Sequence, residues 1–297
     1  MDIGRGEWTV MRWLVVAAIS AATAASAQDL LKESPASDWR ALDPENTLYV
    51  ELSAGRAVIE LAPSYAPANV GAIRKLVRDR YFDASFVIRS QDNYVVQWAR
   101  PEEDERAKAM AKVKLKAEFS RPIDAKLPFT RLAYPDTYAP EVGFSSGFAV
   151  ARDPKRGEAW LVHCYGSVGV GRDNAADSGN GSELYAVIGQ SPRNLDRNIT
   201  LVGRVVQGIE LFSVMPRGKA ALGFYEKPSE WIPIRAIRVA ADVPAVERTN
   251  LEALRTDSAT FKAWVESRAH RREAWFKEPV GRVGVCNVSL PVRAKAP

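Results

Sequence analysis

This sequence predicts a mainly β fold: a closed barrel capped by helices, with an α-helical extension behind it. Three observations carry that expectation. Short runs rich in Val, Ile and aromatic residues recur between residues 47 and 239, separated by Gly, Pro, Asn and Asp. Only two amphipathic helical segments interrupt them, and a helix-capped barrel is the usual way to bury so many short strands. Past residue 245 the pattern changes to helix-start signals and widely spaced aromatics.

Composition bounds the possibilities. The chain has 297 residues, 46% hydrophobic and 26% charged, enough apolar material for a sizeable core. The net charge of +5 is scattered without a basic block, which argues against a nucleic-acid partner. Two cysteines and two histidines are too few for a thiolate zinc cluster or a multi-His centre, so neither a metal nor a cofactor is expected.

In chain order, Arg5 and Arg12 precede the apolar run Trp13 to Ile19, and small residues end at Ala25-Ser26-Ala27. That is the pattern of a secretory leader cleaved after Ala27, too short and too polar at its end for a spanning helix. The expected mature chain is periplasmic or secreted, with no stable membrane insertion after cleavage. Residues 28–45 are polar and Pro-containing and read as a loose N-terminal arm. A barrel domain is expected over residues 46–244. It opens with a hairpin, Leu48, Val50 and Leu52 alternating before the Ser53-Ala54-Gly55 turn and Ala57 to Leu61. Pro67 then starts a helix burying Val70, Ile73, Leu76 and Val77. Strands follow at 85–89 and 94–98.

Residues 102–142 carry a charged, Ala-rich helix and then a stretch without a period, and read as an insertion or long loop. Strand signals resume at 147–152, 159–165, 167–171, 184–188, 201–206 and 232–239, with a short helix at 208–215. The tail, residues 245–297, offers a capping box in Thr249 and Glu252 and a second cap in Asp257. The second helix would bear Phe261, Trp264, Val265, Trp275 and Phe276.

Several motifs read as structural. Gly166 to Arg172 lacks a phosphate-loop spacing and reads as a strand where backbones approach closely. The acidic stretch 173–183 lacks the ligand order of a calcium loop. His163-Cys164 would point to opposite faces of a strand, which disfavours a nucleophile–base pair. In an exported chain, Cys164 and Cys286 form either a disulfide tying tail to barrel or two separate thiols.

One segment stands out. Arg89 on a strand is followed by Tyr94 at +5 and by Gln97 at +8 on the next strand. This resembles the motif of the cyclophilin-type peptidyl-prolyl cis–trans isomerases. Ala57 to Leu61 with Ala66-Pro67, then Gly181-Ser182-Glu183-Leu184-Tyr185, Leu195-Asp196 and Val202 to Gly208, resemble further stretches of that family in the same order. The resemblance implies an eight-stranded barrel with two capping helices, and isomerisation of X-Pro bonds. It implies Arg89 as the donor to the prolyl nitrogen and Gln97 as a partner of the substrate backbone. Tyr94 and Tyr185 would wall the proline pocket with Val95, Leu195 and Ile199, and Glu183 stands at the Gln position of the Gly-Ser-Gln run. The backbone at Gly171 and Arg172 would receive an extended peptide. The expected partners are proline-containing segments of exported proteins; oligomeric state has no signature here.

The departures are specific. Val87-Ile88 replace an aromatic-His pair, Glu183 a Gln, Tyr185 an unhydroxylated aromatic, and Ile199 a His or Tyr. Asn194 stands where some members have an inhibitor-contacting Trp. Val87-Ile88 and Glu183 keep a second reading in view: a non-catalytic module or chaperone that holds proline peptides with its barrel and tail helices.

Overall fold

The computed structural model describes residues 27–295. The expected leader falls outside the described residues, save Ala27. Nine strands form one curled antiparallel sheet. Their order is Ile232–Pro233, Phe86–Ser90, Val95–Ala99, Leu184–Val187, Ser167–Val170, Leu201–Gln207, Gly55–Leu61, Thr47–Leu52 and Ala236–Val239. The first and last strands of that order are neighbours in the chain. Between them Ile234 N–H donates to Ser85 O (3.0 Å) and Arg235 N–H to Glu51 O (2.9 Å). A single bent segment therefore touches both edges of the sheet, and the chain itself completes a cyclophilin-like barrel where no ladder does.

Period-two alternation fills the interior. Leu48, Val50 and Leu52 face inward with Ala57, Ile59 and Leu61, and meet Val96, Trp98, Val168, Val170, Leu184 and Ala186. Two helices close the ends. Helix Pro67–Arg78 buries Val70, Ile73, Leu76 and Val77, as its sequence period requires. It has no side-chain cap of its own. The Glu118 carboxylate accepts from Ala68 N–H (3.0 Å) and Asn69 N–H (2.9 Å) instead, a negative charge at the positive end of the helix. Helix Ile209–Ser213 drops Phe212 onto Trp98, rings stacked at 5.4 Å. Full burial of a side chain of this kind stabilises by about 1.5–3 kcal/mol.

A second sheet of five strands lies against the barrel, in the order Arg121–Pro122, Glu158–Leu161, Phe148–Asp153, Glu141–Ser145, Thr130–Arg131. This corrects two expectations. The stretch 102–142 is no simple loop, because it supplies strands to this sheet. The strands near 147–152 and 159–165 belong to it as well, and not to the barrel. Its two faces have different partners. Phe148, Val150, Ala159 and Leu161 pack on Tyr185, Val187 and Leu201 of the barrel. Val142, Phe144, Ala151 and Trp160 pack on Phe261, Trp264 and Val265 of the tail. The inserted sheet is thus a middle layer, apolar on both sides, which hides the alternation expected of a one-sided strand.

The tail also departs from its expectation. Thr249 and Glu252 start no helix; Leu251–Leu254 is a strand, paired with Trp39–Ala41 on one side and Val292–Ala294 on the other. Tertiary pairing outweighs the local cap signal here. Helix Ala259–Ala269 is capped by Ser258, whose Oγ accepts from Phe261 N–H (3.0 Å), while Asp257 binds Arg255. Trp275 and Phe276 lie beyond that helix and pack edge-to-face on each other, with Trp275 exposed. The 28–45 arm is not loose either: Trp39 is buried in the tail core and its strand pairs with Leu254. Cys164 and Cys286 are disulfide-bonded, with Cα atoms 5.0 Å apart, and join the inserted layer to the tail.

Candidate active site

Barrel strands show one face to the interior and one outward. On the outward face four residues line up across four strands: Arg89 opposite Gln97, Gln97 opposite Tyr185, and Tyr185 opposite Gly169. The alignment depends on a bulge. Val87 pairs with Trp98, but the register shifts before Arg89, so Ile88 is the extra residue. Without that shift Arg89 would face Val96 and the interior side. A bulge re-aims a side chain in this way. Val87, part of the departure from the family pair, is buried in the barrel. Gly169 is needed because the Tyr185 ring occupies the space a Cβ would take.

Arg89 is half-buried and held through three of its donors. Nη1 donates to Gln97 Oε1 (2.9 Å), Nε to the Leu222 carbonyl (2.6 Å), and Nη2 to Gln91 Oε1. A guanidinium has five N–H donors, so one remains on each Nη. Its carbon lies 5.3 Å from the ring centres of both Tyr94 and Phe224. Burial lowers the Arg89 pKa, with Tyr94 and Glu183 opposing, yet a guanidinium stays charged near neutrality.

Gln97 Nε2 in turn donates to Glu183 Oε1. With Glu183 Oε1 accepting from the amide nitrogen, the Gln97 oxygen faces Arg89. Burial pushes the Glu183 carboxyl up to about 7, with Asp173 and Glu102 adding to the rise and Arg89 opposing it. Tyr94, Val95, Tyr185 and Ile199 share one apolar cluster on this outer face. Leu195 and Ile199 border a depression with Arg172, Asp173, Asn174 and Asn198.

The residues expected in a site are therefore together: Arg89, Tyr94, Gln97 and Glu183 by direct contacts, Val95, Tyr185 and Ile199 by packing, Leu195 at the rim. The backbone expected to receive a peptide is in part already engaged. Gly171 N–H already donates to Glu183 O (2.9 Å), so it is not available to an added peptide strand. The Arg172 side chain turns away to the carbonyls of Asn198 (2.9 and 2.7 Å) and Asp173 (2.6 Å). Sequence reasoning missed Gln91, Leu222 and Phe224. Gln91 had a signal, two residues after Arg89 on the turn. The other two reach the site from a loop more than a hundred residues downstream and had none.

A helix-capped antiparallel barrel with an Arg–Gln–aromatic row on its outer face defines a class of peptide-binding folds. The model of the family described as "Cyclophilin type peptidyl-prolyl cis-trans isomerase/CLD" matches residues 47–239, and the chain belongs to that family. It is a cyclophilin-type peptidyl-prolyl cis–trans isomerase. Two curated relatives, each a "Probable peptidyl-prolyl cis-trans isomerase", come from Brucella suis biovar 1 and Brucella melitensis biotype 1. Each is 25% identical over 203 residues, 68% of this chain and 88% of the relative. The crystal structure of the cyclophilin AquaCyp293 from Hirschia baltica matches in fold, with a TM-score of 0.66 at 24% identity. The match covers 87% of this chain and 95% of that one.

Proposed function

We propose that this isomerase acts on X-Pro bonds of exported proteins, with Arg89 donating a hydrogen bond to the prolyl nitrogen. Amide resonance sets the barrier to rotation, ~18–20 kcal/mol. A donor at the nitrogen stabilises its pyramidal form, which exists only when the bond is twisted. The interaction is therefore stronger in the transition state than in either planar isomer, the condition for acceleration. No covalent step and no cofactor are involved.

The observation that carries this reading is the Arg89 guanidinium, anchored to Gln97, Gln91 and Leu222 with an N–H left on each Nη. The anchors hold the fork still, so little is spent in orienting it during the reaction. Tyr94 and Tyr185 give the proline ring an apolar wall, and Gln97 keeps a second amide N–H for the substrate backbone. Two features support export: the leader pattern ending at Ala27 and the Cys164–Cys286 disulfide, which persists in oxidising compartments.

Exchange in a proline tetrapeptide, followed by NMR with wild type and Arg89→Ala, tests the chemistry. Wild type accelerates exchange and Arg89→Ala loses about 10²–10³-fold in kcat/KM. Equal acceleration by both proteins would sink the assignment, and none by either would favour the binding module. Export is tested separately by sequencing the N-terminus of protein from the extracytoplasmic fraction, where Gln28 is the expected first residue. A cytoplasmic protein with an intact leader would overturn that part.

A further inference from the structure

The inserted layer does more than cover the barrel. A buried polar chain runs from it into the outer-face row. Tyr185 Oη lies 3.0 Å from His163 Nε2, and the two rings are nearly parallel. His163 Nδ1 lies 2.9 Å from Asp196 Oδ1, which also accepts the His163 backbone N–H (3.0 Å). Asp196 Oδ2 accepts from Arg193 Nε (2.6 Å). Arg193 then makes a two-pronged pair with Asp136, 2.9 Å in each arm. His163, Asp196 and Arg193 are buried side chains, and Asp136 is nearly so.

The Asp196 end of the chain has a definite polarity. Burial by itself would raise the Asp196 pKa, but its bonds from His163 and Arg193 outweigh that and hold it below the ordinary value. An ionised Asp196 only accepts. Nδ1–H of His163 then faces Asp196, which leaves Nε2 to pair with the Tyr185 hydroxyl. Burial keeps the Tyr185 hydroxyl protonated. A hydroxyl in an apolar wall is costly without a partner, and here the partner also fixes the direction of the ring.

The same elements grip the opposite rim. Leu195 sits in the turn Arg193–Leu195, between Asp196 and Arg193, and Arg193 holds both Asp196 and Asp136. Arg193 lies over the Tyr138 ring at 4.9 Å, and Arg197 lies over Trp160 at 4.7 Å while pairing with Glu158 (3.3 Å). Tyr138, Trp160, Glu158 and Asp136 all come from the inserted layer. Both Tyr185 and the loop bearing Leu195 are thus tied to it by directional contacts.

We propose that His163, held through Asp196 and Arg193 by Asp136 of the insertion, is a positioning residue that sets substrate affinity by fixing the Tyr185 ring. The inference rests on the reading of Tyr185 as a wall of the proline pocket. His163 touches no reacting atom; it acts through the Tyr185 hydroxyl alone.

A double-mutant cycle on the full chain tests this, with kcat and KM measured separately in the proline-tetrapeptide exchange assay. His163→Leu is expected to raise KM about fivefold with kcat within about twofold, the size of coupling found between contacting residues. In the Tyr185→Phe background, where the link is already cut, His163→Leu changes KM less than about twofold. An equal KM effect in both backgrounds, or a loss confined to Tm and kcat, would overturn the proposal. If His163→Leu does not fold, Asp136→Asn at the outer end replaces it, with a smaller KM rise expected in the Tyr185 protein and none in Tyr185→Phe. Absence of that rise overturns the proposal too. A wild type with no exchange activity would instead defeat the functional reading, a distinct result.

Discussion

Glu183→Gln is expected to stabilise the protein above neutral pH and to leave it unchanged in acid. The Glu183 carboxyl lies against Gly171 and accepts from Gln97. Burial, with Asp173 and Glu102 beside it and Arg89 opposing, moves its pKa from 4.5 to about 7. Between those values the folded protein keeps a proton that the unfolded chain has released. Stability is therefore highest below about 4.5, falls as pH rises toward about 7, and is level above that. At about 1.36 kcal/mol per pH unit the interval is worth at most about 3.4 kcal/mol, an upper figure because the side chain keeps some exposure to water. Glutamine has no such titration and still offers an oxygen to Gln97 Nε2. Urea unfolding at pH 5 and pH 8 measures the effect. The two proteins should agree within about 1 kcal/mol at pH 5, with the variant about 2–3 kcal/mol more stable at pH 8. The same difference at both pH values would refute the raised pKa.

Three further outcomes are expected. Arg89→Lys should fail to restore activity, losing about 10²-fold in kcat/KM in the exchange assay, because an ammonium cannot span Gln97, Gln91 and the Leu222 carbonyl together. Removing the disulfide as Cys164→Ser with Cys286→Ser should cost up to about 5 kcal/mol in denaturant unfolding, the chain-entropy value for a separation of 122 residues. A loss below about 1 kcal/mol would show that the tail core alone holds the layers together. Gly169→Ala would drive a methyl into the Tyr185 ring, so KM for the tetrapeptide should rise several-fold, roughly the scale of a coupled contact, while far-UV circular dichroism stays unchanged.

Much of the fold was legible because its signals are local. Alternating apolar residues at 48–52 and 57–61 specify a hairpin, and Pro67 with Val70, Ile73 and Val77 specifies a helix, whatever surrounds them. The Arg89–Tyr94–Gln97 set was legible through its resemblance to the family motif, but the meeting of Arg89 with Gln97 also needs the bulge at Ile88. Thr249 and Glu252 misled because a helix cap is worth little against pairing on both sides of a strand. The inserted sheet misled because a layer apolar on both faces carries no clean period.

The sequence by itself determined the opening hairpin and the capping helices, which follow from periodicity and short-range spacing, while its site residues were legible through the family resemblance. Tertiary structure alone decided the bulge at Ile88 that turns Arg89 outward. It also decided the arrival of Leu222 and Phe224 beside Arg89, the raised pKa of Glu183, and the chain from Asp136 to Tyr185. These depend on distances between segments far apart in the chain and on exclusion of water where they meet, and neither quantity is written in local order.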